Sequence, residues 1–230
     1  MTRMPGARDG DRAGGRFITL EGIEGCGKST QLERLVSRLR TAGAEPLVTR
    51  EPGGTELGRR LRALLLARDA PAMDPLSELL LYATDRTQHL QEVVLPALRQ
   101  GRLVLCDRFL DATLAYQGYG RQLGVEPILR LHRDPPLDLR PDRTILLDLQ
   151  VEVALGRARA RNRELGLEDA EGRYEDEQLD FHARVRSGYL ELAAADPDRF
   201  RVIPAAGAIE EVERRIAEAL ADLIPALEPR

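Results

Sequence analysis

The sequence has almost no lysine. Of its 34 basic residues, 33 are arginine and a single one, Lys28, is lysine. It holds two cysteines, Cys26 and Cys106, and three histidines, too few for a disulfide framework or for a four-ligand zinc site. No apolar run approaches the roughly 20 residues needed to span a bilayer, so no membrane partner is expected. A net charge of −4 argues against nucleic acid held by bulk positive charge. Residues 1–16 are rich in Gly, Arg and Asp and carry no apolar segment of the secretory kind, which makes the cytoplasm the expected location. Against these absences stand 230 residues, 43% hydrophobic and 31% charged, the size and balance of one α/β domain with a real core.

Residues 1–15 read as a flexible extension, followed by a single domain over 16–230. Short apolar runs at Phe17–Glu21, Leu47–Thr49, Leu103–Cys106, Thr144–Leu149 and Arg201–Ile203 are the strand candidates. Between them, helical spacing marks Ser29–Thr41, Glu56–Leu66, Leu76–Leu98, Val151–Arg161, Tyr174–Ala194 and Ile209–Leu223. Strands alternating with helices predict a five-stranded parallel sheet with helices on both faces. A mobile insert is expected near 162–173, with no linker and no internal repeat.

Gly22-Ile23-Glu24-Gly25-Cys26-Gly27-Lys28-Ser29 matches G-x-x-x-x-G-K-[ST], the P-loop. Glycines let successive backbone N–H groups converge on phosphate oxygens, Lys28 supplies a point charge, and the Ser29 hydroxyl can ligate Mg²⁺. The following helix adds the positive end of its dipole. A chance glycine-rich turn is the alternative, at odds on the order of one in a thousand. An apolar strand before the loop and an amphipathic helix after it lengthen those odds.

The kind of P-loop protein follows from two further segments. A guanine-reading Asn-Lys-x-Asp segment cannot exist here, because the only asparagine, Asn162, is followed by Arg163. The second acidic strand ends Asp107-Arg108, where a hydrolase usually has Asp-Glu. Asp107 can hold Mg²⁺ through water. An arginine in place of the water-activating carboxylate suits gripping a second phosphate, which favours a kinase.

Thr49-Arg50-Glu51-Pro52-Gly53-Gly54-Thr55, Asp107-Arg108-Phe109 and Ala115-Tyr116-Gln117-Gly118 resemble the thymidylate kinase family, over about Phe17 to Leu223. The resemblance implies a P-loop NTPase-type sheet with a lid, ATP and dTMP as substrates, Mg²⁺ as cofactor, and a homodimer formed through the helices around 56–66 and 76–98. ATP would be bound by Gly22, Ile23, Glu24, Gly25, Cys26, Gly27, Lys28, Ser29 and Thr30. Arg50 and Arg108 would hold the dTMP phosphate, a task suited to bidentate guanidinium groups.

Tyr82 and Arg86 share a helix face at i and i+4 and match family positions that stack on thymine and bond its carbonyl. Tyr82 as a core residue with Arg86 as its solvated neighbour is the alternative. Thr113 and Gln117 are similar to contacts to base and sugar, and Tyr116 to the ring that crowds the ribose 2′ position. Glu24 would face the deoxyribose 3′-hydroxyl or the water on the metal. Gly25 places the chain with members that keep Gly at that P-loop position and use a lid arginine instead. The lid is expected over about 157–173, with Arg161 catalytic and Arg157 and Arg173 in support. Arg159 and Arg163 read as a solvated face. Lys28, Arg108 and Arg161 are thus the expected catalytic residues, and Ser29 and Asp107 the expected metal ligands. Two rivals stand beside this reading, a kinase for UMP or CMP and a non-catalytic P-loop switch.

Overall fold

The computed structural model describes residues 14–165 and 172–227. Most of the expected N-terminal extension, residues 1–13, and the lid segment 166–171 lie outside the described residues. Five strands, β1 (Arg16–Glu21), β2 (Leu47–Arg50), β3 (Leu103–Asp107), β4 (Arg143–Asp148) and β5 (Phe200–Pro204), form one sheet in the order β2-β3-β1-β4-β5. All four pairings are parallel. Adjacent parallel strands need helical crossovers, and the alternation of apolar runs with amphipathic segments supplies them.

The central strands β1, β3 and β4 are largely apolar on both sides because both faces are covered, while the edge strands β2 and β5 stay partly exposed. On β1, Ile18 and Leu20 enter one core cluster with the first helix, α1 (Lys28–Thr41), while Phe17 enters a second cluster with Val104 and Cys106 of β3. Thr19 and Thr144 fill a polar gap between β1 and β4 with a hydroxyl pair at 3.0 Å. From β1 the chain crosses outward to β2 and returns to β3, and from β3 it crosses to the far side and β4. That reversal opens a crevice at the carboxyl ends of the central strands, where open α/β sheets bind ligands.

α2 (Glu56–Leu66) is capped by Thr55, whose hydroxyl accepts from Gly58 N at 2.9 Å. The long helix expected over 76–98 is present in three pieces: α3 (Pro75–His89), one π-helical turn (Leu90–Val94), and α4 (Leu95–Arg99). Pro96 has no N–H to give to the regular ladder, and the wider turn absorbs that loss.

α5 (Leu110–Thr113) and a second π-helical stretch, Leu114–Gly120, follow β3, and α6 (Val125–Leu131) follows them. None of these three stands out in the sequence, since Gly118, Gly120, Gly124 and Pro127 interrupt every helical pattern. α7 (Val151–Leu165) runs one turn past its expected end at Arg161.

Tyr174 does not open a helix as expected. Residues 173–176 form turns and 177 a bend, with Glu175 N bonded to Gly172 O at 2.9 Å and Glu177 N to Tyr174 O at 3.2 Å. The next helix, α8 (Leu179–Ala195), starts only after Gln178. α9 (Ile209–Leu220) stops short of Leu223, ahead of Pro225. No helix among the described residues is long and apolar enough to cross a membrane.

Candidate active site

Register brings the two diagnostic segments together. Leu20 of β1 pairs with Asp107 of β3, and Arg108 N continues the ladder to Leu20 O at 3.0 Å. The P-loop leaving β1 therefore lies beside Asp107-Arg108, at the rim of a cavity of about 810 Å³. That volume sits in the upper part of the range for small-molecule sites, about 300–1,000 Å³.

Glu24 through Thr30 all line this cavity, while Gly22 and Ile23 do not. Those two residues act from beneath, where their carbonyls accept from Lys28 Nζ at 2.9 and 3.0 Å. The lysine is buried, and its ammonium is folded onto its own loop. Gly25 has a physical reason to be glycine. At its φ of +72°, a Cβ would stand 1.9 Å from Ala154 O of α7. No side chain fits between loop and lid helix, so the P-loop cannot carry a basic residue there.

Arg108 adopts a left-handed backbone, φ 68°. Its guanidinium bonds Glu24 Oε1 at 2.8 Å, Gly22 O at 2.8 Å and the Tyr189 hydroxyl at 3.2 Å. Tyr116 donates its hydroxyl to Glu24 at 2.7 Å, and its ring lies 4.9 Å from the Arg108 guanidinium carbon. Burial alone would raise the Glu24 carboxyl, but Arg108 and Lys28 outweigh it and hold it below the usual carboxylate range. Tyr116 thus orients the Glu24–Arg108 pair. Beneath them Glu21, wholly buried, accepts from Phe109 N at 2.7 Å and from the Tyr189 hydroxyl at 2.8 Å.

Tyr82, Arg86, Thr113 and Gln117 line the same cavity. Arg86 is not a solvated neighbour of Tyr82, because only 1% of it is exposed. Its Nε bonds Glu51 at 2.7 Å, and Thr113, expected at base or sugar, lines the cavity and accepts from Arg86 Nη2 at 2.9 Å. Burial raises the Glu51 carboxyl, yet Arg86 and His89 draw it down to a net depressed pKa.

Gln117 donates both amide protons, to Glu78 at 2.8 Å and to the Tyr174 hydroxyl at 3.0 Å, leaving its carbonyl oxygen as an acceptor. Arg50 is exposed at the end of β2 and is not among the cavity's lining residues. Asp107 and Ser29 both line the cavity, and Asp107 Oδ1 is buried with no hydrogen-bond partner. An orphaned acceptor and a hydroxyl lining one cavity fit Mg²⁺, which takes one or two protein ligands and fills its shell with phosphate oxygens and water.

Arg157 and Arg161 of α7 and Arg173 at the far end of the expected lid reach the cavity. Arg161 bonds Asn162 Oδ1 at 3.0 Å and Glu175 at 3.4 Å, whereas Arg173 is drawn to Glu78 at 2.8 Å. Arg159 and Arg163 are exposed.

Glu78, Tyr174 and Glu51 are the supports that sequence reasoning missed. Glu78 lies four residues before Tyr82 and eight before Arg86, on the same helix face, so helical spacing carried a signal for it. Glu51 stood inside the quoted motif. Tyr174 carried no signal, because its partners come from α3 and from the π-helical stretch.

A family model described as "Thymidylate kinase" matches residues 20–216. The chain belongs to the thymidylate kinase family. It is 52% identical to the thymidylate kinase of Desulfovibrio desulfuricans over 196 residues, covering 85% of this chain and 90% of that one. With the thymidylate kinase of Geobacter sulfurreducens it shares 49% identity over 213 residues, 92% of this chain and 99% of that one. The crystal structure of thymidylate kinase from Ehrlichia chaffeensis superposes with a TM-score of 0.69 at 33% identity, covering 90% of this chain and 99% of that chain. The family makes this P-loop sheet a nucleotide kinase fold, in agreement with the cation-rich cavity.

Proposed function

We propose that this chain transfers the γ-phosphoryl group of ATP to dTMP, yielding ADP and dTDP. The observation that carries the reading is one cavity lined at once by the phosphate loop, by Arg108 and by the pair Arg86 and Gln117. Arg86 offers only donors and Gln117 an acceptor. Thymine presents the complement, a 4-carbonyl oxygen and an N3–H. Cytosine presents the reverse, an amino group and a bare N3, which speaks against a CMP kinase.

In the transfer, two anions must approach in line, so fixed cations carry the work. Lys28 leaves its loop carbonyls for the transferred phosphoryl, and Arg108 exchanges Glu24 for the acceptor phosphate. Arg161 brings a further positive charge from the lid and helps exclude water. Ser29 and Asp107 would hold Mg²⁺, which when bound neutralises charge on the nucleotide phosphates. With Arg108 at the position of a hydrolytic base, the site favours a phosphate acceptor over water.

A homodimer fits the exposed leucines Leu57 and Leu64 of α2 and Leu76 and Leu80 of α3, two helices that pack together. We place the enzyme in the cytoplasm, where its nucleotide substrates are.

A coupled assay of ADP release with dTMP, dCMP and UMP tests the reading. Turnover with dTMP well above that with UMP and dCMP is expected. Equal rates with dTMP and dCMP would overturn the base assignment, and no turnover with any monophosphate would favour the non-catalytic switch.

A further inference from the structure

We propose that His132 is a positioning residue for base selection: its neutral imidazole fixes the Arg86 guanidinium so that it reads a base carbonyl and disfavours an exocyclic amine. The proposal rests on the reading of the cavity as a dTMP site.

His132 stands at the end of α6, fully buried, and is not itself a lining residue of the cavity. Its two ring nitrogens have different partners. Nδ1 lies 2.7 Å from Ile128 O, which can only accept, so Nδ1 carries the proton. Nε2 lies 2.9 Å from Arg86 Nη1, which can only donate, so Nε2 presents its lone pair. The two contacts together permit one neutral tautomer, because an imidazolium would set N–H against N–H. Burial and the nearby Arg86 charge, which push the imidazole down to about 3, agree with this assignment.

The consequence falls on Arg86. Its Nε is held by Glu51 at 2.7 Å, Nη2 by Thr113 at 2.9 Å and Nη1 by His132, while the Phe109 ring lies 4.9 Å from its guanidinium carbon. Three of the five N–H groups of a guanidinium are thereby committed. One N–H on each terminal nitrogen is left for a ligand, and Arg86 lines the cavity. The histidine therefore sets the direction of the donors that meet the base. An apolar side chain in its place would leave a buried N–H without an acceptor and free the Nη1 end of the group.

The test compares the wild-type enzyme with His132→Leu and His132→Gln, whose amide oxygen can again accept from Arg86. Wild-type turnover of dTMP checks the underlying reading separately from the role of His132. For His132→Leu, KM for dTMP should rise about tenfold, the scale of one unpaired buried hydrogen bond to a charged group. KM for ATP and kcat should move by less than about threefold, and the dTMP preference over dCMP in kcat/KM should fall about tenfold. His132→Gln should recover most of both.

The proposal is overturned if the folded His132→Leu enzyme keeps its KM for dTMP and its preference, or if both KM values and kcat worsen together. A His132→Gln variant no better than His132→Leu would also overturn it. Should His132→Leu fail to fold, ¹⁵N–¹H spectra of the wild-type chain decide, with only three histidines to assign. A neutral Nδ1–H tautomer whose Nε2 resonance shifts on adding dTMP supports the proposal. The opposite tautomer, or an unmoved resonance, overturns it.

Discussion

The Glu24 carboxylate and the Arg108 guanidinium meet at 2.8 Å where the P-loop passes the end of β3, and the Tyr116 hydroxyl bonds both. On the proposed function, this contact holds the cation meant for the acceptor phosphate in place before any phosphate arrives. Removing Arg108 alone leaves a mostly buried carboxylate without its partner. Arg108→Met should cost about 2 kcal/mol of stability, less than the roughly 3–5 for fully buried pairs, since the side chains stay 18% and 16% exposed. The double variant Glu24→Gln/Arg108→Met should regain part of that loss in a denaturant melt. Turnover should stay down in both, by about 10³-fold or more, because the acceptor phosphate has lost its clamp. A double variant no more stable than the single one would show that the pair is not coupled.

Lys28 tests the phosphate cradle. Among the described residues its ammonium bonds groups of its own loop, Gly22 O, Ile23 O and the Cys26 sulfur at 3.7 Å. Lys28→Ala should therefore leave the fold intact, at a stability cost of about 1 kcal/mol. ADP release with dTMP should drop by about 10³-fold or more, as expected when a fixed charge on the transferred phosphoryl is removed. Near-normal turnover would remove Lys28 from the mechanism.

Much of this site could be read from the chain, and what could not has a common cause. The P-loop, Asp107-Arg108 and the Tyr82–Arg86 face are local patterns, and local patterns survive in sequence. The central strands β1, β3 and β4 were legible because burial on both faces makes them mostly apolar runs, whereas the edge strands β2 and β5 are short and partly exposed. The π-helical stretch carrying Tyr116 and Gln117 was not, since its glycines break every period and its shape depends on packing against α8.

The supports of the site are long-range. His132 reaches Arg86 across 46 positions, and Tyr174 reaches Glu78 across 96. Tyr174 opens the helical stretch expected over Tyr174–Ala194, whereas its hydroxyl is tied to Glu78 and Gln117. Arg50 shows the opposite case, a residue inside a diagnostic motif that does not line the cavity.

Glu21 makes stability fall as pH rises from mildly acidic to about 8. Burial, then the Asp111 charge, lifts its carboxyl from 4.5 to about 8. A carboxyl whose pKa is raised by folding contributes stability that is full below the unfolded pKa and is lost as pH rises toward the folded one. Stability should therefore decline between about pH 4.5 and pH 8 through this group. Glu24 and Glu51, whose pKa values are depressed, act in reverse and lose their contribution as pH falls. Melting temperatures across pH 5–9 should fall less steeply for Glu21→Gln than for the wild-type chain. A parallel pair of curves would assign the decline between about pH 5 and pH 8 elsewhere.

Leu64 and Leu80 test the proposed dimer. Both are exposed, on α2 and α3, and neither lines the cavity. Arginine at either position would put an uncompensated charge into an apolar interface while leaving an isolated subunit nearly as stable as before. Light scattering after gel filtration should give twice the chain mass of 25.6 kDa for the wild type and the single mass for Leu64→Arg or Leu80→Arg. A variant that remains a dimer would place the interface on another face.

Arg161 separates catalysis from stability within the lid. Its side chain is 53% exposed, and its partners are its neighbour Asn162 and Glu175. Asn162 is buried and gives its amide to Glu175 at 2.6 Å, so the contact that fixes the lid helix to the turn after it does not need the arginine. Arg161→Ala should change stability by no more than about 0.5 kcal/mol. If Arg161 carries charge to the transferring phosphoryl, kcat should fall by about 10³-fold, within the range of arginines supplied to phosphoryl transfer. Arg159→Ala and Arg163→Ala, on the exposed side of α7, should leave kcat near the wild-type value. Arg157→Ala decides between neighbours: it lines the same cavity one helical turn earlier. Should Arg157→Ala abolish turnover while Arg161→Ala keeps it, the transferring charge belongs to Arg157, and Arg161 serves only the Asn162–Glu175 brace.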